Sequence, residues 1–109
     1  MTTLEDRERG YEAKWAHDEE TRFRVMARRD AALGEWAASL MNLSSAEAAD
    51  YVQSVISAGL AGKGPDPAVE KIRADLAGRG AACPEAVLSD KVQSFFEQAK
   101  AAVLADSDK

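Results

Sequence analysis

The sequence predicts an all-α fold, a small four-helix bundle that carries an extended, mobile N-terminal helical arm. Three observations lead to this prediction. No segment alternates apolar and polar residues in the way that a half-buried strand would. Residues 4–42 form one continuous helical pattern without proline. Three later segments with helical apolar spacing are separated by short stretches that contain glycine, proline or capping serines.

The first predicted helix is too long for the rest of the chain to cover. Residues 4–42 would extend about 55–60 Å at 1.5 Å per residue, whereas a domain this small is about 30 Å across. One end must therefore project. Residues 1–20 contain seven acidic and three basic side chains and few apolar ones. We therefore predict that residues 1–20 form the arm and that residues 21–109 form the bundle.

Three large apolar residues of the arm share one helical face. Leu4, Tyr11 and Trp15 follow one another at steps of seven and four residues. Aromatic side chains are common anchors in protein interfaces, and an amphipathic helix often binds in a groove of its partner. We expect Tyr11 and Trp15 to contact a partner. The alternative, in which they pack back on the bundle, is disfavoured by the length of the pattern.

The second half of the long pattern predicts a packed helix that ends near Asn42. Its apolar residues are spaced by three or four positions. They are Phe23, Met26, Leu33, Trp36, Ala37, Leu40 and Met41. Ser44 and Glu47 then have the spacing of a capping box, which predicts the start of a second helix that runs to about Ala61. Its apolar stripe includes Val55, Ile56, Gly59 and Leu60.

Proline and glycine set the bounds of the last two predicted helices. Asp66 is expected to cap the third helix, and Pro67 fits its first position, where no amide hydrogen is needed. The third helix should end at Gly78 or Gly80. The fourth begins between Pro84 and Ser89, and its tail is solvated. Its apolar residues are Val87, Leu88, Val92, Phe95, Phe96, Ala99, Val103 and Leu104.

Composition excludes several classes of partner. The chain has 109 residues and a net charge of −5, so nucleic acid and anionic lipid would repel it. It contains no apolar run long enough for a membrane span, and we expect no direct membrane insertion. The single cysteine, Cys83, cannot form an intrachain disulfide, which favours a reducing, cytoplasmic location.

The sequence offers no set of residues for catalysis or metal binding. His17 is the only histidine, it lies among acidic residues, and a solvated or partner-contacting role is expected. Cys83 is expected to be a half-buried structural thiol. No nucleophile–base pair or metal cluster is evident, so we predict that the protein is not an enzyme.

A run of four arginines has two interpretations. Arg22, Arg24, Arg28 and Arg29 could bind the phosphate of a nucleotide. The favoured alternative is a solvated helix face paired with nearby acidic side chains. The glycine-rich residues 59–64 lack the pattern of a phosphate-binding loop and follow a helix instead of a strand.

Several motifs resemble one known family. They are DRE at residues 6–8, YEAKWAHDEE at 11–20, ARR at 27–29, LG at 33–34 and WAA at 36–38. Together they are similar to the zeta subunit, the ATPase inhibitor subunit of the F-type ATP synthases of some bacteria. The similarity is dense over residues 4–42 and looser through the rest of the chain.

The resemblance implies a four-helix bundle with a mobile N-terminal segment. In the family this segment folds as it inserts among the alpha, beta and gamma subunits of the catalytic head, and it blocks rotation in the direction of ATP hydrolysis. It also implies a cytoplasmic location, peripheral to the inner membrane through the ATP synthase. No cofactor is required, although the family has been linked to weak binding of ADP or ATP on the bundle.

The motif match assigns the inhibitory contacts to residues of the arm. They are Leu4, Asp6, Arg7, Glu8, Tyr11, Glu12, Lys14, Trp15, His17 and Asp18. Gly10 stands where alanine is common in the family, which predicts a weaker inhibitory helix. Two other functions remain open: a bundle that binds a small ligand such as a nucleotide, and an adaptor for another helical protein.

Overall fold

A computed structural model describes residues 18–107 of the chain. This part contains four helices and no strand: α1 (Glu19–Leu40), α2 (Ser45–Ala61), α3 (Pro67–Gly78) and α4 (Glu85–Ser107). The prediction of an all-α bundle is confirmed. None of these four helices is long and apolar enough to cross a membrane. The predicted arm lies outside the described residues, apart from Asp18, Glu19 and Glu20.

Helix α1 is the central element, because it packs against each of the other three helices. Its contacts with α2 and α4 are the most extensive. The approach of α2 is close at Gly34, where a Cβ atom would lie 3.1 Å from the Cα of Val52. A side chain at position 34 would therefore push α1 and α2 apart.

Asp18 marks the start of α1. Its backbone is extended, with φ −103° and ψ 105°, and its carboxylate accepts a hydrogen bond from the amide of Thr21 at 3.1 Å. Aspartate is a favoured N-cap because it satisfies an amide that has no partner within the helix. The prediction of one continuous helix over residues 4–42 is therefore wrong at Asp18, where the backbone is extended and α1 begins.

The other helix ends follow their local sequence. Asn42 adopts a left-handed conformation with φ 57°, and the next amide, that of Leu43, donates to the carbonyl of Ala38. Asparagine tolerates this conformation at a helix end. The capping box of α2 is confirmed, since the Ser44 hydroxyl accepts from the Glu47 amide and the Glu47 carboxylate accepts from the Ser44 amide.

The start of α3 corrects one prediction. Pro67 is the first residue of the helix, as predicted, but the Asp66 side chain makes no capping hydrogen bond. Its two carboxylate oxygens instead accept hydrogen bonds from Arg29 on α1. A charged donor outcompetes a backbone amide for a carboxylate, and the sequence around Asp66 gives no sign of a partner 37 residues away.

The core consists of two clusters at different heights along α1. The larger cluster contains Leu33, Ala37, Val55, Ala68, Val69, Ile72, Leu76 and Leu88. The smaller one joins the first half of α1 to the second half of α4 and contains Val25, Ala99 and Val103. Trp36 and Phe95 pack against the first cluster and Phe96 against the second, which agrees with their assignment to the core. Cys83 is half-buried against the first cluster, as predicted.

Four large residues assigned to apolar faces are exposed instead. They are Phe23, Leu40, Leu60 and Val87. For Phe23 the reason is the true buried face of α1, which includes Thr21, Val25 and Arg29 at four-residue steps. Two of these three residues are polar, so a search for apolar periodicity does not find this face.

Candidate functional site

The predicted contact residues lie almost entirely outside the described part of the chain. Of the ten, Asp18 is described, and it caps α1. The other nine precede residue 18: Leu4, Asp6, Arg7, Glu8, Tyr11, Glu12, Lys14, Trp15 and His17. The structure therefore describes the start of α1 and the surface around it.

A groove of about 250 Å³ lies between α1 and the connection from α2 to α3. We call it the Phe23 groove. Its apolar lining is Phe23, Met26, Ala27, Ile56, Leu60, Pro65 and Pro67. Phe23 is 54% exposed and Leu60 is 60% exposed, although both are large hydrophobic residues. The first lies one turn after the start of α1, and the second lies in the last turn of α2.

The inner wall of the Phe23 groove is a charged network. Arg29, which is only 4% exposed, donates from Nη1 and Nη2 to the two carboxylate oxygens of Asp66 at 2.9 and 2.8 Å. Its Nε and Nη2 also donate to Oδ1 of Asp30 at 3.0 and 2.7 Å. The network joins the first half of α1 to the start of α3.

The protonation properties of this network follow from its burial. Burial raises the pKa of Asp30, and the hydrogen bond and positive charge of Arg29 oppose this rise only in part. Burial acts to lower the pKa of Arg29, but the two carboxylates outweigh it and raise this pKa. Arg29 therefore stays charged, and the prediction that all four arginines form a solvated face is wrong at this position.

Gly59 of α2 makes room for the network. A Cβ atom at this position would lie 2.4 Å from Oδ2 of Asp30, which is closer than atoms of side chains approach one another. The glycine lets α2 pass directly over the carboxylate of Asp30. The sequence places Gly59 on the apolar stripe of α2, but its role is to accommodate a charged group of α1.

Three exposed arginines of α1, Arg22, Arg24 and Arg28, are close to Phe23 in the sequence. Arg22 lies 3.9 Å from Glu19, and Arg24 lies 3.8 Å from Glu20, the longest ion-pair distances within the described residues. Arg28 has no ion pair with another described residue. Arg24 and Arg28 also line a second groove, of about 520 Å³, together with Phe23. Exposed pairs of this kind contribute little energy, so these guanidinium groups are available to a partner.

A third groove, of about 400 Å³, surrounds Tyr51. The Tyr51 hydroxyl donates to Asp75 at 2.8 Å, and burial together with this carboxylate raises the Tyr51 pKa. Lys71 lies 3.0 Å from Asp75 and 5.4 Å from the centre of the Tyr51 ring, and Arg79 also lines the groove. The carboxylate of Asp75 already pairs with both Tyr51 and Lys71 in this groove, and nucleotide binding on the bundle stays a prediction.

Catalytic chemistry has no evident site in residues 18–107. No group of three histidine, cysteine, aspartate or glutamate residues there could bind a metal ion. Sequence reasoning missed Phe23 and Leu60 as surface residues. Phe23 lies two residues from both Thr21 and Val25, about 200° around the helix from each, but its exposure follows only once these two are known to be buried.

Comparison with known proteins gives one result. A family model described as ATPase inhibitor subunit zeta matches residues 1–102 of the chain. The match covers both the bundle and the residues that precede it. A search among proteins of curated function found no match.

Proposed function

The chain belongs to the ATPase inhibitor subunit zeta family, and on that premise we propose that it is a non-catalytic regulatory subunit that inhibits ATP hydrolysis by an F-type ATP synthase. The observation that carries the proposal is the family match over residues 1–102, which includes every residue of the predicted arm. The inhibitor acts at the ATP synthase, on the cytoplasmic side of the inner membrane.

The proposed mechanism divides the work between arm and bundle. Residues 1–17 insert among the alpha, beta and gamma subunits of the catalytic head, with Tyr11 and Trp15 as anchors. The inserted segment blocks rotation in the hydrolysis direction. Ordering of the segment costs free energy, which burial of the two rings offsets. Blocking a rotor requires no catalytic residue in the inhibitor.

The start of α1 supports this division. Asp18 caps the helix with its own side chain, so α1 does not require the preceding residues to satisfy the amide of Thr21. A chain that begins at Asp18 keeps this cap and both core clusters. The bundle should therefore fold without residues 1–17, and the effect of the arm can be measured separately.

The test is ATP hydrolysis by catalytic heads stripped of this subunit. The full chain should inhibit, and a chain that lacks residues 1–17 should not. Both should show the same helical content and midpoint of thermal unfolding within a few degrees. A full chain with Tyr11→Ala and Trp15→Ala should inhibit at least tenfold more weakly, because interface anchors contribute more than 1 kcal/mol each.

Each other outcome has a definite meaning. Equal inhibition by the full and shortened chains would show that the bundle is the effector and would refute the assignment of the arm. A full chain that folds but does not inhibit would refute the proposed function. In that case the two other functions, ligand binding and adaptor, would be favoured.

A further inference from the structure

We propose that the Phe23 groove binds a lysine side chain of the catalytic head, with the ammonium group on Oδ2 of Asp30 and the aliphatic stem along the apolar walls. The proposal rests on the proposed function and extends it, since it assigns a contact to the bundle in addition to those of the arm. It follows from one carboxylate oxygen that lacks a donor, from the charges that line the groove and from the shape of its walls.

The open oxygen of Asp30 is the first argument. The Asp30 side chain is 6% exposed, and the two hydrogen bonds that it accepts from Arg29 both end on Oδ1. Among the described residues, no donor forms a hydrogen bond with Oδ2. No fully buried side-chain oxygen in this part of the chain lacks a hydrogen bond, so Oδ2 must remain in contact with solvent. Because Asp30 lines the Phe23 groove, a ligand in the groove can reach this oxygen.

Helix α2 supplies no side-chain donor to this oxygen. Position 59 lies next to Oδ2, since a Cβ atom there would be 2.4 Å from it. The residue is a glycine, which also lines the groove. A Cα–H group replaces only a fraction of an ordinary hydrogen bond. The carboxylate of Asp30 therefore has acceptor capacity left for a ligand.

The charges that line the groove favour a cationic ligand. Among the described residues, the charged ones in the lining are Arg29, Asp30 and Asp66, which place one positive charge against two negative ones. Arg29 already donates to both carboxylates. The pKa of Asp30 is nevertheless raised, because burial outweighs the effect of this arginine. A second cation beside Oδ2 would compensate the carboxylate more fully.

The shape of the site favours lysine over arginine as the cation. One acceptor is open, Oδ2 of Asp30, because Arg29 binds both oxygens of Asp66. An ammonium group is a compact point charge, whereas a guanidinium group is matched to two parallel acceptors. A lysine also buries its methylene stem along apolar surface. The groove offers such surface from two helices: Phe23 and Met26 of α1, and Ile56 and Leu60 of α2.

The rim of the groove indicates that the lysine belongs to a protein surface. Phe23 and Leu60 are both more than half exposed, although they are large hydrophobic residues. A free amine in the groove would leave most of this apolar area in water, whereas a protein surface that carries the lysine would cover it. Phe23 lies five residues after Asp18, or about 7 Å along α1 at 1.5 Å per residue. A partner that binds residues 1–17 is therefore close to the groove.

The experiment first measures binding of a lysine analogue to the full chain without the ATP synthase. Nα-acetyl-lysine methylamide is titrated into isotope-labelled protein, and NMR follows the carboxyl carbon of Asp30 and the amide of Gly59. Nα-acetyl-norleucine methylamide, which has the same four-carbon stem without the ammonium group, is the control ligand. Asp30→Asn and Leu60→Ala test the two parts of the site, and Leu40→Ala, at another exposed leucine, is the control variant. Binding of each variant to stripped catalytic heads is then titrated.

We expect saturable binding of the lysine analogue and about fivefold or more weaker binding of the norleucine analogue. D30N should remove this preference, because its side chain is neutral. L60A should weaken the binding of both analogues, and L40A should behave as the wild type. D30N and L60A should also bind the catalytic heads about tenfold more weakly, with maximal inhibition unchanged at saturation because the arm is intact. Thermal unfolding checks each variant, and L60A keeps the test valid if D30N does not fold, since Leu60 is exposed.

Three outcomes would overturn the proposal, and they differ from failure of the proposed function. Equal binding of the two analogues, or a lysine preference that D30N keeps, would refute the site. Binding of the analogue that appears only in a Lys63→Met variant would show that this exposed lysine, next to the groove in the sequence, occupies the site itself. Equal binding of all variants to the catalytic heads would refute the head as the source of the lysine.

Failure of the proposed function gives a different result. A wild-type chain that prefers the lysine analogue through Asp30 but does not inhibit ATP hydrolysis would refute the function and leave the cation site in place.

Discussion

Arg29 carries a positive charge at a position that is 4% exposed, and two carboxylates surround it. The desolvation of such a group is costly, and its hydrogen bonds offset that cost only while both kinds of partner are present. Removal of Arg29 would leave the buried carboxylate of Asp30 without its cation, and the pKa of Asp30 would rise further. The first half of α1 therefore depends on a polar contact more than its small apolar cluster would indicate.

Arg29→Ala should lower the free energy of unfolding by about 3–5 kcal/mol, because a buried charge loses its partner. The neighbouring variant Arg28→Ala is the control and should change stability by about 0.5 kcal/mol or less, because Arg28 is exposed. Urea unfolding of the two variants beside the wild type measures both values. Equal stability of the two variants would show that the network contributes little.

The capping box of α2 shows how a helix end responds to pH. Hydrogen bonds from the amide and hydroxyl of Ser44 lower the pKa of Glu47 below its ordinary value. On acidification the unfolded chain takes up this proton first. The stabilising contribution of Glu47 is therefore present at neutral pH and is lost as the pH falls from about 4.5 through the lowered pKa.

Glu47→Gln should lower stability at pH 7, and the difference from the wild type should shrink as the pH falls below about 4.5. Glu35→Gln is the control, since Glu35 is exposed in the middle of α1 and has no hydrogen bond or ion pair with another described residue. Urea unfolding at pH 7, 4 and 3 gives the comparison. A difference that stays constant with pH would contradict the assigned role of Glu47.

The free energy of local opening is expected to differ between the two ends of α1. Eight buried residues form the cluster around Leu33, whereas three form the cluster around Val25. Local opening requires less free energy where fewer apolar contacts are lost. The end of the bundle at the start of α1 is therefore the less stable end.

Native-state hydrogen exchange should show amides around Val25 opening at a lower free energy than amides around Leu33. Val103→Ala should increase this difference, because it removes two methyl groups from the smaller cluster at a cost of about 1.5 kcal/mol. Ala101→Gly is the control, because it changes helix propensity at an exposed position of α4 and removes no buried side chain. Uniform protection along α1 would contradict the two-cluster description.

The sequence predicts those features of the fold that depend on interactions between residues close together in the chain. Ser44 with Glu47, and Pro67 after Asp66, place two helix starts correctly because the deciding interactions or restraints lie within a few residues. Asp18 is a local cap too, but the long apolar pattern on both sides of it conceals the break. All ten predicted contact residues stay predictions, and nine of them precede the described part of the chain.

The parts that sequence does not predict depend on distant partners. Asp66 looks like an N-cap until α1 brings Arg29 beside it. Leu33 and Ala37 of the predicted apolar stripe are buried, but Thr21 and Arg29 interrupt the apolar spacing before them, so Phe23 is wrongly taken as core. The exposed position of Phe23 is visible only in the packed structure.

The close approach of Gly59 to Asp30 restricts which substitutions this sequence can accept in evolution. A methyl group at position 59 and a carboxylate at position 30 cannot occupy the same space. The two positions are therefore expected to change together, with alanine at 59 accompanied by a shorter side chain at 30. Because Arg29 also depends on Asp30, such a pair of substitutions would favour a third change at position 29.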